Sequence, residues 1–321
     1  MRAPDFWAGP GDGGWPARLL SPLSLIWRGV TRRRLARGPG FDPVVPVLCI
    51  GNVTAGGTGK TPFAMMVARR LQAAGHKPHF LSRGHGGRVS VPTRVAGQGA
   101  EIVGDEPMLL SAVAPAWVSP DRAAGARAIA AAGADVIVMD DGLQNPTLRK
   151  TLSILVLDGG AGLGNGRVIP AGPLREPWGD ALARADAVVV VGAVSVSLPS
   201  PGDRPLLHAR LRPANDAAFR GRRVFAFAGI GRPAKFFASL AECGAEIAGT
   251  REFPDHHPYT ATEIEQVKAA AANRGAVPVT TAKDLARLSP ALAEGIAVLE
   301  VTLEVAEGAV LDQLLARLFT E

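Results

Sequence analysis

A glycine-rich loop that ends in Gly59-Lys60-Thr61 is the part of this sequence best suited to chemistry. The apolar run 45–50 before it is typical of a buried strand, and the run 62–71 after it is typical of a helix. This arrangement binds nucleotide phosphates, because glycines let backbone N–H groups approach phosphate oxygens and a helix N-terminus carries partial positive charge. The predicted nucleotide-binding residues are Thr54, Ala55, Gly56, Gly57, Thr58, Gly59, Lys60 and Thr61.

Lys60 and Thr61 have separate expected tasks in this loop. The ammonium group of Lys60 can reach the β- and γ-phosphates, and the hydroxyl of Thr61 can bind Mg²⁺. The strict phosphate-loop pattern has glycine at position 54, where this chain has Thr54, so the loop is a variant. The alternative interpretation is an ordinary strand-to-helix turn.

A second apolar run, 136–139, ends in Asp140-Asp141-Gly142 and predicts a buried strand with carboxylates at its end. Nucleotide hydrolases and kinases hold a metal ion with an acid at such a position. We therefore expect Asp140 to hold Mg²⁺, directly or through water. The alternative is a strand that ends in a turn, where Asp is favoured.

Charged residues in glycine- and proline-rich segments are further candidates. The segment 82–88 reads SRGHGGR, and the long loop 164–177 contains an Arg-Glu pair. Glycines and arginines at a strand end suit an anionic ligand, although 82–88 is equally consistent with a solvated turn. The pair Asp105-Glu106 precedes a predicted helix and is either functional or a complement to the helix dipole.

The segment 14–40 combines large apolar side chains with arginines and contains no acid. A basic amphipathic helix with tryptophans suits the boundary between water and anionic lipid, where each arginine adds about 1 kcal/mol. The uncharged run 19–27 is far shorter than the ~20 residues of a spanning helix. The alternative is a helix packed on the protein with its arginines solvated. A nucleic-acid patch is disfavoured, because no known module accompanies the arginines.

Composition indicates a folded chain of one or two domains. Hydrophobic residues make up 47% of the 321 residues, which excludes wholesale disorder. Two cysteines cannot form a disulfide framework and indicate a reducing compartment, and we expect no cleavable signal segment. The net charge of +6 predicts an acidic partner, either nucleotide, anionic lipid or nucleic acid.

Strands and helices alternate along the chain, which predicts parallel α/β sheets. We expect an N-terminal amphipathic segment at 1–40, a phosphate-loop domain at 41–204 and a smaller α/β lobe at 205–321. The stretch 195–204 has the composition of a linker, and one last strand is expected near 296–301.

Seven segments resemble one family, the tetraacyldisaccharide 4'-kinases. In order they are GNVTAGGTGKTP, LSRGHGG, VGDEPMLL, DVIVMDDGLQN, GNGRVIPAGPLREP, AGIGRP and FPDHHPYT. Together the segments are highly specific and span nearly the whole chain, and the family shares the threonine at position 54. The resemblance implies an α/β fold with a P-loop NTPase-like parallel sheet, a second, smaller α/β lobe, an N-terminal amphipathic helix and an active site between the lobes.

The resemblance also implies a reaction and a location. The expected enzyme transfers the γ-phosphate of ATP, with Mg²⁺, to the 4'-hydroxyl of a tetraacylated glucosamine disaccharide 1-phosphate in lipid A biosynthesis. It would be a peripheral protein of a Gram-negative bacterium, bound to the anionic surface of the inner membrane at its cytoplasmic face. We expect a monomer with no nucleic-acid partner.

Individual roles follow from the same resemblance. Asp105 would take the proton from the sugar hydroxyl, and His256, rather than the adjacent His257, would orient it. Lys60 and Asp140 complete the implied catalytic set. The implied metal ligands are Thr61, Asp140 and Asp141. The implied acceptor-binding residues are Arg83, Arg122, Gln144, Arg175 and Glu176.

Three positions depart from the family's usual sequence. The family usually has Tyr where His85 stands, His where Asn145 stands, and Glu where Ala282 stands. The lost acid at Ala282 weakens any role assigned to that segment. None of the implied catalytic residues is affected, so activity is expected.

Two other functions are consistent with a phosphate loop. A GTPase or metallochaperone acting at the membrane is one; a GTPase should carry an N-K-x-D sequence, whereas Lys283 and Asp284 are adjacent here. A non-catalytic, nucleotide-dependent membrane module would need no base, so that Asp105 and His256 would be dispensable.

Overall fold

The computed structural model describes residues 4–9, 11, 13–84 and 86–320, so that His85 lies outside the described residues. In chain order the strands are β1 (Val47–Gly51), β2 (Pro78–Ser82), β3 (Thr93–Arg94), β4 (Ala116–Val118), β5 (Val136–Asp140), β6 (Leu152–Asp158), β7 (Ala187–Val191), β8 (Leu206–Pro213), β9 (Arg223–Ala228), β10 (Glu246–Glu252), β11 (Val277–Thr281), β12 (Ala297–Leu299) and β13 (Val301–Val305). The α-helices are α1 (Gly14–Leu35), α2 (Lys60–Ala73), α3 (Ala100–Val103), α4 (Asp105–Ser111), α5 (Arg122–Ala131), α6 (Trp178–Leu182), α7 (Pro233–Glu242), α8 (Ala261–Ala272), α9 (Ala282–Leu285), α10 (Pro290–Ala293) and α11 (Gly308–Ala316).

The larger sheet runs in the order β13-β8-β7-β6-β1-β5-β2-β4-β3. Neighbours from β8 to β4 are parallel, and the two outermost pairs are antiparallel. Apolar, β-branched runs such as AVVVV of β7 are buried throughout, as strands covered on both faces require. The predicted parallel α/β architecture is confirmed.

Helices cover both faces of the larger sheet. On one face, Phe63 and Leu71 of α2 share an apolar cluster with Leu311 and Leu315 of α11. On the other face, Ile129 of α5 packs in a second cluster. Each such buried side chain contributes about 1.5–3 kcal/mol of transfer free energy. The two layers therefore hold β1, and with it the start of the glycine-rich loop, at the centre of the sheet.

The smaller sheet has its own core and runs in the order β10-β9-β11-β12, with all pairs parallel. Phe236 and Leu240 of α7 are buried on one face. Ile264 and Val267 of α8 are buried on the other. The second, smaller α/β lobe is thus confirmed.

The sheets divide the chain differently from the expected boundary at residue 204. β8 pairs with β7, and β13 pairs with β8, so that both strands join the larger sheet. The single strand expected near 296–301 is two strands in different sheets, β12 and β13, separated by Glu300. The smaller lobe therefore spans 214–300, and the larger lobe comprises 41–213 and 301–320. Local apolar patterning does not show which sheet a strand joins.

Helix α1 touches the larger lobe along a narrow stripe only. Ala17 and Ser24 are buried, and the Ser24 hydroxyl donates to the carbonyl oxygen of Val168 at 2.7 Å. The large apolar side chains exposed on α1 are Trp15, Leu19, Leu23, Leu25, Ile26, Trp27 and Val30. A helix packed by its apolar residues would bury them instead. Within the described ranges, no helix has the length and apolar character needed to cross a membrane.

Candidate active site

The glycine-rich loop joins the end of β1 to the start of α2, at the carboxyl edge of the larger sheet. Gly59, the residue before α2, has a φ of +87°, and a Cβ there would lie 3.0 Å from Val191. Both the positive φ and the lack of room for a Cβ next to Val191 therefore favour glycine at position 59. Lys60 and Thr61 form the first turn of α2, where free N–H groups face the loop.

Thr54 replaces the glycine of the strict pattern without backbone strain. Among the non-glycine residues that the structure describes, only Asp141 and His256 have positive φ. The Thr54 side chain is buried, and its backbone forms an antiparallel bridge with Leu174. A threonine therefore suits this position as well as a glycine would.

The long loop 164–177 forms a layer between the phosphate loop and α1. The backbone N–H of Ala55 donates to the carbonyl oxygen of Pro173 at 2.7 Å. From the other side, the indole N–H of Trp27 donates to the carbonyl oxygen of Arg175 at 3.0 Å. The exposed helix is thus two hydrogen-bonded steps from the phosphate loop.

Asp140 lies beside the phosphate loop, because β5 pairs with β1. Its Oδ2 accepts a hydrogen bond from the Thr61 hydroxyl at 3.2 Å. Its Oδ1 is buried and has no hydrogen-bond donor among the residues that the structure describes. Burial, and next the charge of Glu106, raise the pKa of Asp140 to about 7. A divalent cation would satisfy this buried oxygen.

Asp140 and Thr61 fit the way proteins bind Mg²⁺. The described part of the chain contains no cluster of three or more His, Cys, Asp or Glu side chains that could hold a metal ion. Mg²⁺ does not need one, because it keeps several waters and binds one or two protein oxygens together with phosphate oxygens. The two side chains supply that pair.

The carboxylate of Asp141 pairs with two positively charged side chains. Arg175 Nη1 lies 2.7 and 2.9 Å from its two carboxylate oxygens, and Lys60 Nζ lies 3.7 Å from Oδ1. Burial would raise the pKa of Asp141, but the charges of Lys60 and Arg175 hold it below its usual value. Asp141 thus pairs with both Arg175 and Lys60, and its implied role as a metal ligand stays a prediction.

The half-buried Gln144 and the buried Glu176 form a hydrogen-bonded pair next to the strand-end residue Asn52. Gln144 Nε2 donates to the carbonyl oxygen of Asn52 at 2.9 Å and to Glu176 Oε1 at 3.0 Å. Glu176 is 1% exposed, and Arg184 Nη2 lies 2.6 Å from both of its oxygens. The oxygens of Glu176 thus accept hydrogen bonds from Gln144 and Arg184, and its implied contact with the acceptor stays a prediction.

Arg122 and Arg83 place two guanidinium groups near each other. Arg122 is buried, donates to the carbonyl oxygen of Ser119, and leaves its Nε without a partner in the described residues. Burial, and next the charge of Arg83, lower the pKa of Arg122 to about 10. An anion bound here would relieve both effects.

A second polar cluster surrounds Asp105, in the first turn of α4. The carboxylate is 6% exposed. Its Oδ2 lies 3.1 Å from His256 Nδ1, 3.8 Å from Lys283 Nζ and 2.5 Å from Arg287 Nη2. Burial would raise the pKa of Asp105, but the hydrogen bond from His256 and the charges of Lys283 and Arg287 lower it well below its usual value. Asp105 is therefore an ionised acceptor.

Hydrogen bonds fix the tautomer of His256. Lys283 Nζ lies 3.2 Å from His256 Nε2, and an ammonium group can only donate. His256 Nε2 therefore accepts, and Nδ1–H donates to Asp105. His257 points elsewhere, because its ring stacks on Phe253 and its Nε2 lies 3.0 Å from Glu263.

The two clusters meet because both sheets direct their carboxyl ends to one cleft. His256 follows β10, and Lys283 and Arg287 follow β11, whereas Asp140 ends β5. Glu106 connects them: its charge acts on Asp140, and its Oε1 lies 4.0 Å from Lys283 Nζ. Ligands of open α/β sheets bind at this edge of the strands.

Local sequence patterns do not mark several charged residues of the site. Arg287 and Arg184 belong to no recognised motif, and the departure at Ala282 weakens the motif that contains Lys283. Charged residues after a predicted strand were a usable signal for Lys283, because such positions face a ligand cleft. Arg287 lies beyond the next helical turn, where no local pattern distinguishes it from a surface arginine.

Comparison with known proteins shows a family over nearly the whole chain. The family described as tetraacyldisaccharide-1-P 4'-kinase matches residues 16–319. A tetraacyldisaccharide 4'-kinase from Rhodospirillum centenum is 51% identical and covers 100% of this chain and 97% of the relative. A protein of the same description from Rhodospirillum rubrum is 51% identical over 90% of this chain and 89% of its own length.

A solved structure shares the fold over nearly the whole chain. It is a crystal structure of LpxK from Aquifex aeolicus in complex with ATP. The two chains are 25% identical and superpose with a TM-score of 0.78, covering 95% of this chain and 100% of the other. The P-loop NTPase-like architecture is therefore confirmed beyond the sheet topology alone.

Proposed function

Because the chain belongs to the tetraacyldisaccharide-1-P 4'-kinase family, we propose that it transfers the γ-phosphate of ATP to the 4'-hydroxyl of a tetraacylated glucosamine disaccharide 1-phosphate. One geometric observation supports this proposal. An ionised carboxylate held by a histidine, Asp105 with His256, faces the same cleft as a phosphate loop. A nucleotide-binding module without catalysis has no use for such a pair.

In the proposed reaction Asp105 acts as the general base. The acceptor hydroxyl gives its proton to the carboxylate, its oxygen forms a bond to the γ-phosphorus, and the bond to the bridging oxygen breaks to leave ADP. His256 orients the carboxylate through Nδ1–H. A base with a low pKa removes a proton only late in the reaction, so positioning and charge neutralisation supply most of the catalysis.

The phosphate end of the cleft neutralises charge. Lys60 binds the β- and γ-phosphates, held in place by Asp141, and Arg175 lies on the same carboxylate. Asp140 and Thr61 would hold Mg²⁺, which supplies charge neutralisation at the transferred phosphoryl group when bound. Their mutual hydrogen bond keeps both oxygens at one place before the nucleotide arrives.

The acceptor is recognised by anion-binding groups. Arg83 and Arg122 suit a phosphate or a polarised sugar oxygen. The Arg122 side chain is buried and its Nε–H has no partner among the described residues, so an acceptor oxygen of the ligand would satisfy it. Gln144 is a positioning group for Arg175, which lies 3.4 Å from Gln144 Oε1.

We assign α1 to the membrane surface. Its exposed apolar side chains and its arginines suit an anionic lipid interface, which supports a peripheral protein at the cytoplasmic face of the inner membrane. A lipid acceptor held there would reach the cleft by way of the loop 164–177.

Phosphorus NMR of the product tests the proposed chemistry. The acceptor has one phosphomonoester, at position 1. After incubation with ATP and Mg²⁺ we expect a second phosphomonoester signal that couples to the proton at position 4'. A product with phosphate at another hydroxyl, or an unchanged acceptor with accumulating free phosphate, would contradict the proposal and favour a different P-loop NTPase.

A further inference from the structure

Arg287 is a buried arginine of the smaller lobe that crosses the cleft to Asp105. Its Nε and Nη2 lie 3.1 and 2.5 Å from Oδ2 of Asp105. Both side chains are only 7% exposed. Burying a cation is costly unless it is paired, so this contact is built rather than incidental.

The remaining nitrogen of the Arg287 guanidinium, Nη1, is hydrogen-bonded to the core of the smaller lobe. Nη1 donates to the carbonyl oxygen of Gly229 at 2.8 Å and to Asp284 Oδ1 at 2.9 Å. Asp284 is fully buried and also accepts a hydrogen bond from the Tyr259 hydroxyl at 2.8 Å. Arg287 therefore has one possible position, set by Gly229 and Asp284.

Arg287 also reaches His256 through the backbone. The N–H of His256 donates to the carbonyl oxygen of Gly229 at 3.1 Å, the same oxygen that accepts from Arg287. The φ of His256 is +58°, so its turn needs such support. One side chain thus contacts both the carboxylate and the turn that bears its histidine.

We propose that Arg287 is a positioning residue for phosphoryl transfer: it holds Oδ2 of Asp105 and the turn of His256 in register, so that the base is assembled only while the two lobes are joined. This inference rests on the proposed kinase reaction. Arg287 itself is too buried to touch the nucleotide or the acceptor and acts through Asp105.

Charge supports the same assignment. The charged or titratable groups facing Asp105 are His256, Lys283, Arg287 and the neighbouring Glu106. Removing Arg287 takes away two hydrogen bonds and a positive charge, so the pKa of Asp105 rises toward its usual value.

Two substitutions test the proposal through activity. For Arg287→Met we expect kcat to fall about 10–100-fold with KM for ATP unchanged, because a base misplaced by about 1 Å costs on the order of 10²-fold. Arg287→Lys keeps a cation near Asp105 and should recover most of the loss. The matched control is Arg232→Met, which removes another arginine of the smaller lobe, 2.8 Å from Asp158 of the larger lobe and outside the Asp105 cluster. We expect its kcat to stay within about threefold of wild type, because Lys235 still lies 3.0 Å from Asp158 and keeps the two lobes joined.

A second readout does not depend on turnover. Carbon NMR of protein labelled at the Asp carboxyl carbon, with the Asp105 signal identified by its loss in Asp105→Asn, should show Asp105 ionised well below the usual Asp range in wild type. In Arg287→Met its titration should move to higher pH, and in Arg232→Met it should not. This comparison isolates positioning from general loosening of the lobes.

Each outcome decides the matter. Wild-type kcat in Arg287→Met, or equal losses in both Met variants with an unmoved Asp105 titration, would overturn the proposal. If Arg287→Met does not fold, an ordinary Asp titration for Asp105 in wild type or in Arg287→Lys would overturn it. If wild type phosphorylates no lipid while the Asp105 titration still depends on Arg287, the kinase reaction is refuted and the Arg287 contact stands.

Discussion

At the scale of single residues, the site separates two neighbouring histidines by backbone conformation. His256 has a φ of +58° and reaches Asp105, whereas His257 packs on Phe253 within the smaller lobe. Local sequence alone does not distinguish the two adjacent histidines, and the conformation of the turn places His256, the one that the family resemblance favours, beside Asp105. The same holds for Asp140 and Asp141, of which one faces Thr61 and the other pairs with Arg175.

Replacing His256 should cost catalysis, and replacing His257 should not. His256→Gln removes the Nδ1–H donor to Asp105, and we expect kcat to fall about 10–100-fold, in the lower range of general acid–base effects. His257→Gln is the matched control. Steady-state kinetics with saturating ATP give the comparison, and equal kcat values in the two variants would contradict the role of His256.

Lys60→Ala should act on binding before chemistry. Loss of the ammonium group removes the main protein charge on the β- and γ-phosphates, so we expect ATP affinity to fall at least tenfold, the effect of about 1.4 kcal/mol. Titration calorimetry measures it, with Asp105→Asn as the variant whose ATP affinity stays unchanged. Wild-type affinity in Lys60→Ala would show that the glycine-rich loop is not the phosphate site.

At the scale of elements, α1 and the loop 164–177 act as one unit. The Ser24 hydroxyl donates to Val168 and accepts from the backbone N–H of Ala171 at 3.2 Å. Ser24→Ala would leave the buried N–H of Ala171 unpaired, a cost of about 1–3 kcal/mol for such a group, whereas the carbonyl oxygen of Val168 would keep its hydrogen bond from Gly172 at 3.2 Å. We expect a lower thermal unfolding midpoint, and an unchanged midpoint would show that water replaces the hydroxyl.

Membrane attachment should depend on the exposed face of α1. Replacing Leu19, Leu25 and Ile26 by Ser removes apolar surface that is 65–70% exposed, without touching the buried stripe. We expect weaker sedimentation with anionic vesicles, most at high salt, where screening weakens the attraction of the arginines that the variant keeps. Val44→Ser is the matched control, because Val44 is 95% exposed but lies outside α1. Equal vesicle binding in all three proteins would remove α1 as the attachment site.

Local sequence patterns predict the strands and helices of the site better than they predict which strands and side chains pair with each other. The strand-loop-helix around Lys60 and the strand before Asp140 follow from short runs of apolar residues and glycine. The pairing of β8 and β13 in the larger sheet does not follow from local sequence, because strand pairing is decided by contacts between residues distant in sequence. Arg287 was equally invisible, since its partner Asp105 lies 182 positions away.

At the scale of the whole molecule, ion pairs join the two lobes on opposite sides of the cleft. Asp158, at the end of β6, lies 2.8 Å from Arg232 and 3.0 Å from Lys235 of the smaller lobe. Asp105 with Arg287 forms the other junction. Both carboxylates belong to the larger lobe and both sets of cations to the smaller one.

These junctions predict how stability depends on pH. Burial would raise the pKa of Asp158, but Arg232 and Lys235 hold it below its usual value. An Asp whose folded pKa is depressed contributes stability above its unfolded pKa and loses that contribution as pH falls through the folded value. Thermal unfolding from pH 7 to pH 3 should therefore show a smaller acid loss in Asp158→Asn than in wild type. Parallel curves would contradict the assignment.

The most direct test of the central claim is transfer of labelled phosphate. The full chain, Mg²⁺ and γ-labelled ATP are mixed with a detergent-dispersed tetraacylated disaccharide 1-phosphate, beside a control without lipid. We expect label on the lipid, reduced about 10²–10⁴-fold in Asp105→Asn with ATP binding retained. Label released only as free phosphate, or equal lipid labelling in Asp105→Asn and wild type, would contradict the account.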